Sequence, residues 1–142
     1  MIETSRLLLR RPCPADIDAA YAYRSRADVA RYLSAGTWTR QKTGEEIVGE
    51  VGLTWTDADN AAEIGYVFNP AYMGTGLASE AVSGVLSAAL GAWGFTRVSA
   101  RTDADNRASR LLCERVGMTL ASRSLSTDGR DVKEVTYIKS GA

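Results

Sequence analysis

Short apolar runs bounded by turn residues mark strands along this chain, and one long stretch with apolar positions three and four apart marks a helix. The first run, Arg6 to Arg11, is stopped by Pro12 and Pro14, which cannot donate to a ladder. A helix is expected from Pro14 to about Arg26. Proline suits a first turn, Asp16 and Asp18 suit the positive end, and Ile17, Tyr21 and Arg24 share one face. Asp28 to Leu33 reads as a short helical turn and Ser34-Ala35-Gly36 as a loop. Ile47 to Trp55 and the run from Glu63 to Phe68 read as an antiparallel hairpin across Asp57-Ala58-Asp59-Asn60.

In the second half, Ala78, Ala81, Val82, Val85, Leu86, Ala89, Leu90 and Trp93 repeat at helical spacing and predict one long amphipathic helix. A strand follows at Arg97 to Arg101, then Asp103-Ala104-Asp105-Asn106, a loop rich in capping residues, then a helix from Arg107 to Val116. Gly117 supplies its left-handed stop. Met118 to Leu125 and Val132 to Lys139 flank Asp128-Gly129, a hairpin signal. Val132, Glu134 and Thr136 fall on one face of the second strand, Val135 and Tyr137 on the other. Strands and helices in this order predict an α/β fold with a mixed sheet and helices against its faces.

Composition narrows the chemistry. At 142 residues the chain is one domain's worth, residues 1–142. Seventeen basic residues balance seventeen acidic ones without long runs of either sign, which points away from nucleic acid and from a membrane surface. The apolar run near the N-terminus is three leucines long, too short for a signal or a span, so a soluble, unprocessed chain is expected. There is no histidine, which excludes histidine triads and zinc hydrolysis and predicts no metal. Any general base is therefore a carboxylate, a tyrosine, a thiolate or water. Cys13 and Cys113 lie far apart and form neither a disulfide framework nor a metal knuckle, which fits a reducing, cytoplasmic setting.

The most informative segment is Asn69-Pro-Ala-Tyr-Met-Gly-Thr-Gly-Leu-Ala-Ser-Glu-Ala81, a Gly-x-Gly turn between a strand and the long helix. Gly74 and Gly76 have no side chain, so successive backbone N–H groups can close around an anion at the positive end of the helix dipole. No Gly-Lys-Ser/Thr follows, so this is not a nucleoside-triphosphate loop, and Ser79 holds the third glycine position of the dinucleotide pattern. Alone, such a turn is as often a plain connection as an anion site.

Several separated segments together resemble one family. Glu3-Thr4-Ser5-Arg6-Leu7-Leu8-Leu9-Arg10, Ala62-Glu63-Ile64-Gly65-Tyr66, Gly74-Thr75-Gly76-Leu77-Ala78-Ser79-Glu80-Ala81, and Asn106-Arg107-Ala108-Ser109 through Glu114-Arg115-Val116-Gly117-Met118 resemble the Gcn5-related N-acetyltransferases, most closely the branch that acetylates ribosomal-protein N-termini. The likeness covers most of the chain. It implies a mixed, mostly antiparallel sheet with helices on both faces, and acetyl-CoA as co-substrate. Its pyrophosphate is expected on the main-chain amides of Tyr72, Met73, Gly74, Thr75, Gly76, Leu77, Ala78 and Ser79. Its pantetheine is expected between the strands Glu63 to Asn69 and Arg97 to Arg101, close to Asn106 and Ser109. A backbone N–H near Val67 or Phe68 is expected to stabilise the oxyanion.

The acceptor is expected to be a primary amine, of a protein N-terminus or a small molecule. Holding thioester and amine together removes an entropic barrier of up to about 7–11 kcal/mol. Glu63 is the expected base for the acceptor ammonium; the plainer reading has it paired with an arginine or facing solvent. Cys113 stands where relatives place a tyrosine acid. It either protonates the departing thiolate or is a small core residue. Asn106 either lies against pantetheine or caps its helix, and the two are compatible. The interval between Thr37 and Glu46 is shorter than in relatives by about a helix and a strand, which leaves a sheet short by one or two strands and an edge that a homodimer would cover. The rival reading, motivated by that gap and the missing tyrosine, is a catalytically weak acyl-CoA sensor or binding module.

Overall fold

The chain's structure, a computed structural model, describes residues 2–11, 13–16, 18, 37–41, 47–56, 60–72, 74–125 and 132–141. Its strands are β1 (Ile2–Glu3), β2 (Leu7–Arg10), β3 (Thr37–Gln41), β4 (Ile47–Trp55), β5 (Ala61–Phe68), β6 (Arg97–Asp103), β7 (Thr119–Leu125) and β8 (Val132–Ser140). The helices described are α1 (Leu77–Leu90) and α2 (Arg107–Arg115). One parallel pairing among antiparallel ones makes the sheet mixed and mostly antiparallel, an α/β arrangement. Two compact units divide the chain: Met1–Leu53 with Gly65–Ala88, and Thr54–Ile64 with Ala89–Ala142.

In the first unit β1, β2, β3 and β4 are neighbours in that order, with β5 next to β4. β2 alternates as a half-buried strand must: Leu7 and Leu9 are fully buried, while Leu8 and Arg10 are half-buried. Thr37–Gln41 forms a strand bonded on both sides, Thr39 facing Leu9 of β2 and Thr37 facing Val51 of β4. β3 therefore occupies residues 37–41 of the interval that reads as shortened in the sequence. Gly49 on β4 lies against the Val67 carbonyl and the Phe68 ring, where no Cβ fits, so glycine here is a condition of close strand approach. The buried set Leu7, Leu9, Val48, Val51, Leu77, Ala81, Val82, Val85 and Leu86 is this unit's core, each large side chain contributing about 1.5–3 kcal/mol.

In the second unit β5 runs parallel to β6, with Ala61, Ala62 and Glu63 opposite Arg97, Val98 and Ser99. β6 pairs antiparallel with β8 along its whole length, from Arg97 against Ser140 to Asp103 against Glu134. β7 lies outside β8, exposed at every residue and bulged between Leu120 and Ser122 and between Ser124 and Leu125. Val135 and Tyr137 are buried on β8 and alternate with half-buried Glu134 and Thr136, as the period-two pattern requires. With Ala62, Ile64, Val98, Ala100, Leu112, Cys113, Val116 and Met118 they form this unit's core.

Three expectations change in detail. The long helix stops at Leu90, because Gly94 (φ +73°) turns the chain and Phe95 N–H bonds back to the Ala89 carbonyl at 2.9 Å. Trp93 therefore lies beyond the helix and is 48% exposed. Where a helix is expected from Pro14, the described residues show a 3₁₀ turn, Pro14–Asp16. β1 is a strand that the sequence pattern does not mark, being only two residues long. The rest of that first helix beyond Asp18, the turn at Asp28 to Leu33, Ser34-Ala35-Gly36, residues 42–46, Asp57 to Asp59 and Asp128-Gly129 lie outside the described residues.

Candidate functional site

The glycine turn belongs to the first unit and is built from β5 onward. A 3₁₀ turn, Pro70–Tyr72, follows the strand, held by Tyr72 N–H on the Asn69 carbonyl (3.0 Å) and Ala71 N–H on the Asn69 side chain (3.0 Å). Gly74 and Gly76 then adopt φ of +78° and +80°, a left-handed conformation in which any side chain is strained. The Thr75 hydroxyl donates to the Tyr72 carbonyl and accepts a long bond from Leu77 N–H (3.4 Å), which closes the turn from inside. The Gly76 carbonyl accepts the first helical bond, from Glu80 N–H at 3.1 Å. Among the described residues, no protein acceptor takes the N–H groups of Gly74, Thr75 and Gly76, and the exposed turn opens onto the first-turn amides of Ala78 and Ser79. Met73 lies outside the described residues.

Three residues absent from the sequence-based candidates surround this turn. Glu80, in the first turn of α1, accepts from Arg6 N–H (2.8 Å), from Arg6 Nε (2.8 Å) and from the Thr4 hydroxyl. Arg6 Nη1 donates to the Thr75 carbonyl at 2.9 Å. Burial opposes the Glu80 charge, but the bonds from Thr4 and Arg6 outweigh it and hold the carboxyl below its ordinary value. A signal existed in the letters: the only charge between Asn69 and Leu90 is Glu80, an anion beside a proposed anion site.

Val67 is buried and Phe68 half-buried at the end of β5, Phe68 packing on Tyr66 with ring centroids 6.0 Å apart. In the second unit Glu63 is half-buried and its Oε1 accepts from Arg101 Nε at 3.0 Å, so the arginine-paired reading is the one observed. Asn106 caps α2: its side chain accepts from Ser109 N–H at 3.1 Å, which ties these two candidates to each other. Cys113 is fully buried on α2, in the setting of a core residue. Elsewhere along α2, the buried Tyr137 hydroxyl accepts from Arg110 Nε (3.2 Å) and donates to Glu114 (3.5 Å), while Arg110 also bonds the Ala104 carbonyl. No group of three or more metal-ligating side chains gathers among the described residues.

The family model for the Acetyltransferase (GNAT) domain matches residues 37–119, which contain β3 to α2 and the whole glycine turn. The chain belongs to the GNAT acetyltransferases. This N-acetyltransferase is 28% identical over 144 residues to the uncharacterised N-acetyltransferase YoaA of Bacillus subtilis (strain 168), covering 82% of its own length and 81% of that protein's. Its fold matches the GNAT-family acetyltransferase from Bacillus anthracis with a TM-score of 0.88 at 24% identity, over 98% of this chain and 97% of that one. It matches RimL, a ribosomal L7/L12 α-N-protein acetyltransferase solved with coenzyme A, with a TM-score of 0.81 at 15% identity, over 97% and 96% of the two chains. At these identities the structural likeness is one of fold.

Proposed function

We propose that this enzyme binds acetyl-CoA through the Gly74–Ser79 turn and acetylates the α-amino group of a protein N-terminus. The observation that carries the reading is the set of amides around two left-handed glycines at the start of α1 that find no protein acceptor among the described residues. These are oriented donors for which a diphosphate is the matching acceptor. Proteins of this fold include an α-N-protein acetyltransferase and spermidine N-acetyltransferases, so an amine acceptor of either kind fits the fold. Physical chemistry favours the protein N-terminus: with pKa values of about 8 and about 10.4, an α-amine at neutral pH is present as free base about two orders of magnitude more often than a lysine amine.

In the reaction the free amine attacks the thioester carbonyl, the carbon–sulfur bond breaks, and the amine's surplus proton must leave. Glu63 is the group assigned to take it, through the carboxylate oxygen that Arg101 does not occupy. The CoA thiolate takes its proton from water, since the burial of Cys113 favours its role in the core.

The test has two parts. CoA titrated into the protein should bind in the calorimeter. Thiol release from acetyl-CoA should then appear with peptides bearing a free N-terminus and vanish when the same peptides are N-blocked but keep an internal lysine. Transfer to the blocked peptides or to spermidine alone would replace the proposed acceptor. Absence of CoA binding would remove the reading altogether.

A further inference from the structure

Glu80 poses a problem for the site just described. A carboxylate in the first turn suits the helix dipole, yet it opposes any diphosphate bound at the same helix end, and the stretch from Asn69 to Leu90 contains no cation to offset it. The offset comes from the turn between β1 and β2. Arg6 places Nε on Glu80 Oε1 and its own backbone N–H on Oε2, and Thr4 adds its hydroxyl to Oε2. Thr4 is itself fixed, because its oxygen accepts from Leu7 N–H at 3.1 Å and its N–H bonds the Leu7 carbonyl at 3.0 Å.

The same guanidinium reaches into the glycine turn. Nη1 holds the Thr75 carbonyl at 2.9 Å, and in a planar trans peptide the carbonyl and the following N–H point in opposite directions. Fixing the Thr75 carbonyl toward Arg6 therefore fixes the Gly76 N–H away from it. Nη2 stands 3.3 Å from the place a Cβ on Gly76 would take, so the guanidinium also backs the turn at the residue whose positive φ opens it. Glu80 is thus the anchor that sets the direction of Arg6, and Arg6 is the strut that sets the direction of a loop amide.

We propose that Thr4, Arg6 and Glu80 form a clamp that positions the Gly74–Gly76 turn for the diphosphate of the acetyl donor, so that Glu80 strengthens binding of an anion despite its own charge. The proposal rests on the acetyl-CoA reading and names positioning residues for the same site. Its signature is a sign: by charge alone, removing Glu80 tightens binding of a diphosphate, whereas loss of the clamp weakens it.

CoA is titrated calorimetrically into the wild type and into Glu80→Gln, Arg6→Gln and Arg6→Lys at one ionic strength, and melting temperatures are recorded without ligand. The clamp predicts that Glu80→Gln and Arg6→Gln each weaken CoA about tenfold or more, the scale of a lost charge-assisted bond. Arg6→Lys keeps the charge but cannot bond Glu80 and Thr75 in the same fork, so it recovers little of that affinity. CoA affinity in Glu80→Gln equal to or tighter than the wild type overturns the clamp. So does full recovery in Arg6→Lys, or a fall in melting temperature with the CoA constant unmoved. Should Glu80→Gln not fold, Thr4→Val removes one anchor and takes its place with the same expected direction. A wild type that fails to bind CoA overturns the acetyl-donor reading and the clamp together, whereas a wild type that binds while Glu80→Gln matches it removes the clamp alone.

Discussion

Glu63 has two carboxylate oxygens, and Arg101 occupies one of them from a side chain that is itself 56% exposed. An ion pair this open to solvent contributes about 0–1 kcal/mol to stability, so its removal costs the fold little. General-base assistance is worth far more in rate, typically a hundredfold or above and less for an amine already partly deprotonated. The contrast separates the two roles. Glu63→Gln is expected to leave the melting temperature within a few degrees and to lower kcat/KM about tenfold or more near pH 6, with the deficit narrowing toward pH 9 as the acceptor loses its proton to solvent. A pH–rate profile parallel to the wild type's would take Glu63 out of the chemistry and leave it as a surface pair. Cys113 shows the opposite setting, because its thiol on α2 is fully buried and shielded from bulk water, as a small core residue is.

At the scale of elements, α2 shows why much of this fold is legible in the letters. Asn106 at the cap, Ser109 three residues on and Gly117 at the end (φ +87°) are local signals read by local geometry, and the helix starts and stops where they say. Asn106→Ala removes the acceptor for Ser109 N–H and is expected to cost about 0.5–2 kcal/mol, read as a shift in the denaturant midpoint at constant m-value. A loss below that range would mean that packing of Leu112 and Cys113 alone holds the helix. The strands β6 and β8 are legible for the same reason, since apolar alternation is a property of neighbours in sequence, and β4 and β5 as apolar runs between turn residues. What local signals do not carry is long-range. The clamp joins Thr4 and Arg6 to Glu80 and Thr75 across some seventy positions, and nothing in the period of either segment announces the other. β8 lies between β6 and β7, a pairing order that depends on which edges are free when the hairpin docks. The glycine turn was visible as a turn. Its open amides follow from where Thr75 sends its hydroxyl and its carbonyl.

For the whole molecule, the distribution of perturbed carboxylates sets the pH at which it fails. Asp16 is 4% exposed and accepts two bonds from the Arg10 guanidinium (2.8 and 2.6 Å) and one from Cys13 N–H (2.8 Å). The Arg10 bonds, ahead of the opposing cost of burial, push its carboxyl far below the usual carboxylate range. Glu80 is also held low, and both residues lie in the first unit. A group whose folded pKa lies below its unfolded one adds stability that is complete above the unfolded pKa, near 4, and is lost as pH falls through the folded value. Both contributions therefore fail on the acid side only. With no histidine in the chain, the usual titration near pH 6.5 is missing as well, so the melting temperature should stay nearly flat from about pH 5.5 to 8 and fall below about pH 4. Because Asp16 and Glu80 share one unit, amide exchange at low pH should rise first in β2 and the start of α1, before β6 and β8. Asp16→Asn should cost about 1.5–3 kcal/mol at neutral pH, the scale of bonds to a charged group, and should flatten the acid limb, because the variant has already lost what protonation removes from the wild type. An acid limb of unchanged steepness in Asp16→Asn would place the titration elsewhere. Uniform loss of protection across both units would show that acid acts through the general gain of positive charge and not through these two carboxylates.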